Sequence, residues 1–160
     1  MFDALLNFLF PPRCPNCSSY VERRGSFCHA CARRLIGVRV LARTPETARQ
    51  LAGIWTLGHY REGVRDLLRA LKYQQKKSAL PHLHAMLAEG EEVLAQLPRP
   101  LTAVAVPLGH ARQKARGFNQ TEEIFASWLR AHDIALLPLL VRTRAVSYTP
   151  LRAHETDSYL

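Results

Sequence analysis

The chain's only cysteines form two C-x2-C pairs, Cys14-Pro15-Asn16-Cys17 and Cys28-His29-Ala30-Cys31. A C-x2-C pair on a tight turn presents two thiolates to one ion, and two such pairs close the four-sulfur tetrahedron that zinc prefers. The ten residues between the pairs make a loop of zinc-ribbon size. A closed shell leaves no position for water. The Zn2+ that the pattern implies is therefore structural, holding together a segment too small to fold by burial alone. Two disulfides or a redox-active C-x-x-C would suit the same spacing. Reduced thiols on a metal are favoured because no export signal precedes them. His29 lies inside the second pair and is expected to face solvent.

Length and charge set the next bounds. The 160 residues, 48% of them apolar, suffice for one compact body with a small appendage. Lys and Arg number 22 against 13 Asp and Glu, and the net charge of +9 favours a phosphate-bearing small molecule or other phosphate-bearing partner. Four thiolates around a divalent cation carry a local charge of about −2, which offsets part of that excess. Arg13, Arg23, Arg24, Arg33 and Arg34 stand close in sequence to balance it. No stretch reaches the roughly 18 apolar residues of a spanning helix. The opening MFDALLNFLFPP lacks a basic n-region and an A-x-A site, so it does not read as a secretory signal, and a cytoplasmic location is expected. Phe2, Leu5, Leu6 and Leu9 recur at helical spacing before Pro11-Pro12, which predicts a short amphipathic helix within residues 1–12 lying on the rest of the protein. Binding at a membrane surface is the weaker reading, because the turn carries Asp3 and no basic residue.

Residues 13–34 form the ribbon, and 35–50 read as an arginine-rich linker. From residue 51 to 145 the pattern is that of a layered α/β unit. Gly53 to Tyr60 reads as a strand, and Val64, Leu67, Leu68 and Leu71 mark one face of a helix. Leu80, Leu83, Leu87, Leu94 and Leu97 draw a second helix that Pro98 and Pro100 end. Leu101 to Val106 and Ile134 to Val141 are short apolar runs of the kind buried parallel strands show. Between them come a basic loop, Arg112 to Gly117, and a helix carrying Ile124, Phe125, Trp128 and Leu129, which Asn119 and Glu122 open as a capping box. The order helix, strand, loop, helix, strand is that of an α/β sheet.

Taken physically, a strand that delivers a basic loop and then a helix start suits phosphate or pyrophosphate, although on charge alone a solvated basic loop is the favoured reading. The residues themselves, VAVPLGHARQKARGFNQ from Val104 to Gln120, resemble the VPVPL...R...RGFNQ signature of the ComF family. These are competence-type proteins that join an N-terminal double-cysteine zinc ribbon to a type I phosphoribosyltransferase domain. The CPNC and FCHAC pairs, the Gly58-His59-Tyr60 strand end and Ala70-Leu71-Lys72-Tyr73 follow in the family's order, so the resemblance covers about residues 10 to 145.

The resemblance implies an α/β fold: an N-terminal zinc ribbon followed by the front half of a type I phosphoribosyltransferase-like parallel sheet. It also implies a donor, phosphoribosyl pyrophosphate (PRPP). Its pyrophosphate would sit on Val106, Pro107, Leu108 and Gly109, with Arg112, Arg116 and Lys72 as charge partners. The family's other half-site is a strand ending in V-D-D-V-x-T-T-G, which serves the ribose, Mg2+ and the 5′-phosphate. No Asp-Asp pair occurs here. Mg2+ and PRPP are therefore expected only in a full-length protein, no catalytic residue is assigned, and the chain as written is expected to be inactive. One half-site cannot both position and stabilise an oxocarbenium-like centre. Gly117, Asn119 and Gln120 suit either a ligand role or the loop exit and helix cap.

The family's association with DNA uptake implies single-stranded DNA or competence proteins as partners. A reading of another class is a nucleic-acid-binding adaptor whose arginines track phosphates, without enzymatic activity.

Val146 to Leu160, VSYTPLRAHETDSYL, breaks the pattern. It resembles one reading frame of a transposase-type sequencing adapter, and an ordinary flexible tail is the alternative. Without it the net charge would be +10, since Arg152 leaves together with Glu155 and Asp157. His82 and His84, two apart on a helix, read as surface residues, and Lys76 and Lys77 as solvated helix-end charges. Trp55 and Trp128 lie on apolar stripes and read as core. The pairs Glu91-Glu92 and Glu122-Glu123 have no second carboxylate placed for acid/base chemistry.

Overall fold

The computed structural model describes residues 9–142. The first eight residues of the expected amino-terminal helix and the tail from Val146 to Leu160 lie outside the described residues. Among the described residues, no helix is long and apolar enough to cross a membrane.

The first cysteine pair sits on a tight hairpin. The Cys14 amide donates to Ser19 O at 2.8 Å, Val21 N donates to Pro12 O at 3.1 Å, and Arg13 bridges Tyr20. Ser18 absorbs the reversal with a φ of 62°. Helix α1 (His29–Leu35) begins immediately after Cys28 and carries Cys31 on its inner face. Strand β1 (Ile36–Val40) follows without a break.

The segment expected as a linker therefore contains a strand, and also α2 (Pro45–Gln50), capped by the Thr44 side chain. In β1, β-branched residues recur at every second position, at Ile36, Val38 and Val40; the surrounding arginines mask that alternation in the sequence. It pairs antiparallel with β2 (Trp55–Gly58), placing Ile36 opposite Gly58 and Val40 opposite Trp55. At position 53 glycine leaves room for the tip of the Trp55 indole, which a Cβ there would displace.

Helix α3 (Glu62–Gln74) buries Val64 and Leu71 and ends at Gln75, which takes the left-handed conformation at φ 54°. The single helix expected over Leu80 to Leu97 is broken. Helix α4 (Leu80–Leu87) and helix α5 (Glu91–Gln96) are separated by a 3₁₀ turn over Ala88–Gly90. Gly90 is buried there, and a Cβ at this position would meet the Trp128 ring at 3.4 Å and Leu57 at 3.5 Å.

The parallel sheet is short. Strand β3 (Thr102–Ala103) pairs with β4 (Ala135–Leu136), and Leu137 N extends the ladder to Ala103 O at 2.9 Å. The longer strands expected over Leu101 to Val106 and Ile134 to Val141 are not formed, because no third strand flanks this pair among the described residues. The basic loop is in fact a helix, α6 (His110–Arg116). Its Ala, Gln, Lys and Arg residues are strong helix formers, and Gly117, at φ 80°, ends it. Helix α7 (Gln120–Ala131) starts at Asn119, as expected.

Ribbon and α/β unit share one core. Cys14, Phe27, Cys31 and Leu35 belong to the same buried cluster as Val64, Leu71, Leu83, Met86, Leu87 and Ile124. Two surface readings, of His82 and His84, are corrected here, while Lys77 is exposed as expected but not without partners. Lys77 pairs with Glu123 at 2.9 Å and lies over the Phe118 ring. His84 Nε2 meets Glu123 O at 3.2 Å. His82 is half-buried, edge-on to Phe27, with Nδ1 lacking a partner.

Burial lowers the His82 pKa from its ordinary 6.5, with the nearby Ser78 backbone acting in the opposite direction. The unfolded chain takes up the proton first, so this contribution to stability is present above pH 6.5 and is lost as pH falls below that value. Between about pH 7 and about pH 5, His82→Phe is expected to lose less Tm than the parent. Equal losses would clear His82 of any part in the acid sensitivity.

Candidate zinc centre and anion crevice

The hairpin delivers Cys14 and Cys17, and the start of α1 delivers Cys28 and Cys31, so that their four sulfurs lie within 4.8 Å of one another. All four are free thiols; Cys17 Sγ and Cys28 Sγ are 3.5 Å apart. In a zinc tetrathiolate with Zn–S bonds of about 2.3 Å, the sulfurs stand about 3.8 Å apart, so the cluster fits the ion after small adjustments. His29 is exposed, as expected.

The thiols cannot ionise independently. The Ser19 hydroxyl, 3.1 Å away, leads the groups that lower the Cys17 pKa to about 6. At Cys31 the Asn16 amide favours the thiolate, but burial and the neighbouring sulfurs outweigh it and push the pKa up to about 11. For Cys14 burial opposes ionisation, and backbone N–H groups of Cys28, Cys17 and Asn16 overcome it. A divalent cation resolves this competition, because it lets all four sulfurs carry charge together. Three of the five nearby arginines have other partners: Arg13 donates to Ser18 O, Arg24 to Phe10 O, and Arg34 pairs with Glu62.

A second feature lies at the carboxyl ends of β3 and β4, where a crevice of about 340 Å³ opens between the segments that leave the two strands. Such crevices are where parallel sheets take ligands. Pro107 and Leu108 line it, with Gln113, Asn119, Glu122 and the Leu136 to Leu140 segment. Val106 is 69% exposed, and Gly109 forms the start of α6. Val106, Gly109, Arg112, Arg116 and Lys72 are not among the lining residues. Arg112 is exposed on α6, Arg116 turns to Gln120 Oε1, and Lys72 is half-buried on the last turn of α3. That turn approaches α6, since Gln75 Nε2 donates to Ala115 O at 3.3 Å.

Asn119 is 5% exposed and fully engaged. Its Oδ1 accepts from Thr121 N at 3.0 Å, and its Nδ2 reaches both Val106 O and Glu122 Oε1. With Gly117 as the α6 stop and Gln120 holding Arg116, this stretch shapes the crevice rather than presenting free donors to it. Two residues escaped the sequence reading. Arg142 brings its Cδ to 3.5 Å from where a Gly109 Cβ would stand, and Asn16 touches the sulfur cluster. Asn16 occupies one of the two unspecified positions of the first C-x2-C pair and Arg142 belongs to no motif, and only the fold brings their side chains to these positions.

A four-thiol ribbon built into the core of an α/β unit defines a zinc-ribbon protein, and residues 5–40 match the family model described as a double zinc ribbon domain. That match extends through β1. The chain is ComF-like: it is 26% identical over 141 residues to Competence protein F of Haemophilus influenzae, a match covering 86% of this chain and 56% of that protein. The chain thus spans about half the length of that relative. No solved structure matches it.

Proposed function

We propose that this chain supplies the zinc ribbon and the pyrophosphate half-site of a ComF-type, phosphoribosyltransferase-like protein associated with DNA uptake. Zinc held by Cys14, Cys17, Cys28 and Cys31 cross-links the hairpin to α1 and does no chemistry on substrate. The observation that carries the second part is the crevice beyond the parallel pair β3 and β4, walled by Pro107 and Leu108. On this reading the Val106 to Gly109 segment holds the pyrophosphate, with Pro107 and Leu108 facing the crevice and Val106 and Gly109 flanking it, and Arg112, Arg116 and Lys72 supply the surrounding positive field. The acidic groups for ribose and Mg2+ are not in this sequence, so the chain as given does not turn over PRPP.

The test uses a version of the protein that includes the V-D-D-V-x-T-T-G strand. Arg112→Ala combined with Arg116→Ala is expected to weaken pyrophosphate binding at least about tenfold by calorimetry, the scale of one charge-assisted contact. Unchanged affinity would remove both arginines from the site.

A nucleic-acid adaptor is the second reading, and the exposed Arg61, Arg65 and Arg69 at four-residue spacing along α3 favour it. Steep loss of single-stranded DNA binding with rising salt is its signature, and negligible binding at low salt would end it.

A further inference from the structure

Helix α3 begins without a cap of its own. Arg61 stands at the cap position and its side chain makes no capping bond, although the first-turn N–H groups of a helix have no partner within it. The Gly63 amide finds one outside: it donates to Asn16 Oδ1 at 2.8 Å, across 47 residues of sequence. The other end of the same Asn16 amide group donates from Nδ2 to Cys31 Sγ at 3.2 Å. Both bonds are partly buried. A Cβ at Gly63 would lie 2.9 Å from Asn16 Cβ and 3.0 Å from its Cα, so glycine is what admits Asn16 to this position.

We propose that Asn16 is a positioning residue that makes the metal state of the sulfur cluster and the first turn of α3 a single unit. An N–H donor on a thiolate fixes the sulfur's direction and favours its charged form, as outer-shell partners of metal ligands do. The acceptor end then ties that geometry to the helix. Loss of metal frees Cys31 to turn, and the α3 cap loosens with it. Loss of the cap correspondingly weakens the grip on zinc. This coupling stands independently of any ligand in the β3–β4 crevice.

The experiment uses zinc-loaded protein and reads zinc release to a colorimetric chelator together with amide hydrogen exchange. Asn16→Ala is expected to release zinc about tenfold faster and to expose the Gly63 amide, while the mid-helix Leu71 amide keeps its protection. Asn16→Asp separates the two ends. It retains an acceptor for Gly63 but offers no donor to Cys31, and its carboxylate is repelled by a loaded cluster of charge about −2. Protection at Gly63 is therefore expected to persist while zinc still leaves faster. Unchanged release in both variants, or a Gly63 amide indifferent to Asn16→Ala, would overturn the proposal.

A measurement on the unaltered chain covers the case in which the variants do not fold. Replacing zinc with cadmium is expected to shift the Asn16 side-chain and Gly63 backbone amide resonances together, and resonances that stay in place would refute the link.

Discussion

Cys14→Ser is expected to abolish zinc retention and to unfold the amino-terminal segment, and Cys28→Ser to do the same from the other side of the cluster. Serine offers a harder, shorter and protonated donor where zinc favours a thiolate. At Cys14 the change also falls inside the core, since that side chain is 2% exposed and its pKa is already lowered by three backbone N–H groups. The energetic stake is large because a preformed site does not survive unfolding. Binding free energies for structural zinc of about 10–16 kcal/mol act directly as folding free energy. Against that, the ribbon's own buried apolar side chains are few, chiefly Val21, Phe27 and Leu35. Metal analysis after dialysis, paired with exchange at the Ala32 amide, reads both effects. A Cys14→Ser protein that kept one zinc per chain would refute the four-thiolate site.

Much of this was legible in the sequence, and the boundary between legible and hidden is physical. Two C-x2-C pairs specify a local geometry, so the cluster could be read without a fold. The α3 face of Val64, Leu67, Leu68 and Leu71 is likewise a local periodicity that packing left intact. Strand β1 escaped because its partner β2 lies beyond an intervening helix, and its arginines resemble those of a solvated connector. The Arg112 to Gly117 segment was read by charge when its intrinsic propensity was helical. Asn16 sits inside the most conspicuous motif of the chain, yet its role depends on Gly63, a residue with no side chain to signal it.

Leu35→Ala is the second large effect, and it tests whether the ribbon is an appendage or part of the body. Leu35 ends α1, is fully buried, and its carbonyl accepts from His59 N at 2.8 Å, so it lies where the ribbon passes into the sheet. Truncating such a leucine costs about 3 kcal/mol when the surroundings cannot collapse onto the void, out of a total stability of about 5–15 kcal/mol. Because Cys14, Cys31, Leu71 and Leu83 occupy the same buried cluster, the loss is expected to spread through both parts. Exchange at amides that open only on global unfolding would then rise roughly a hundredfold at Leu71 in α3 and at Cys14 in the hairpin alike. An appendage behaves differently: the hairpin amides would lose protection while Leu71 kept its own, and the chain would melt in two steps. A single transition displaced to lower temperature means that zinc at the cluster stabilises the α/β unit as well as the ribbon, because the leucine between them serves both.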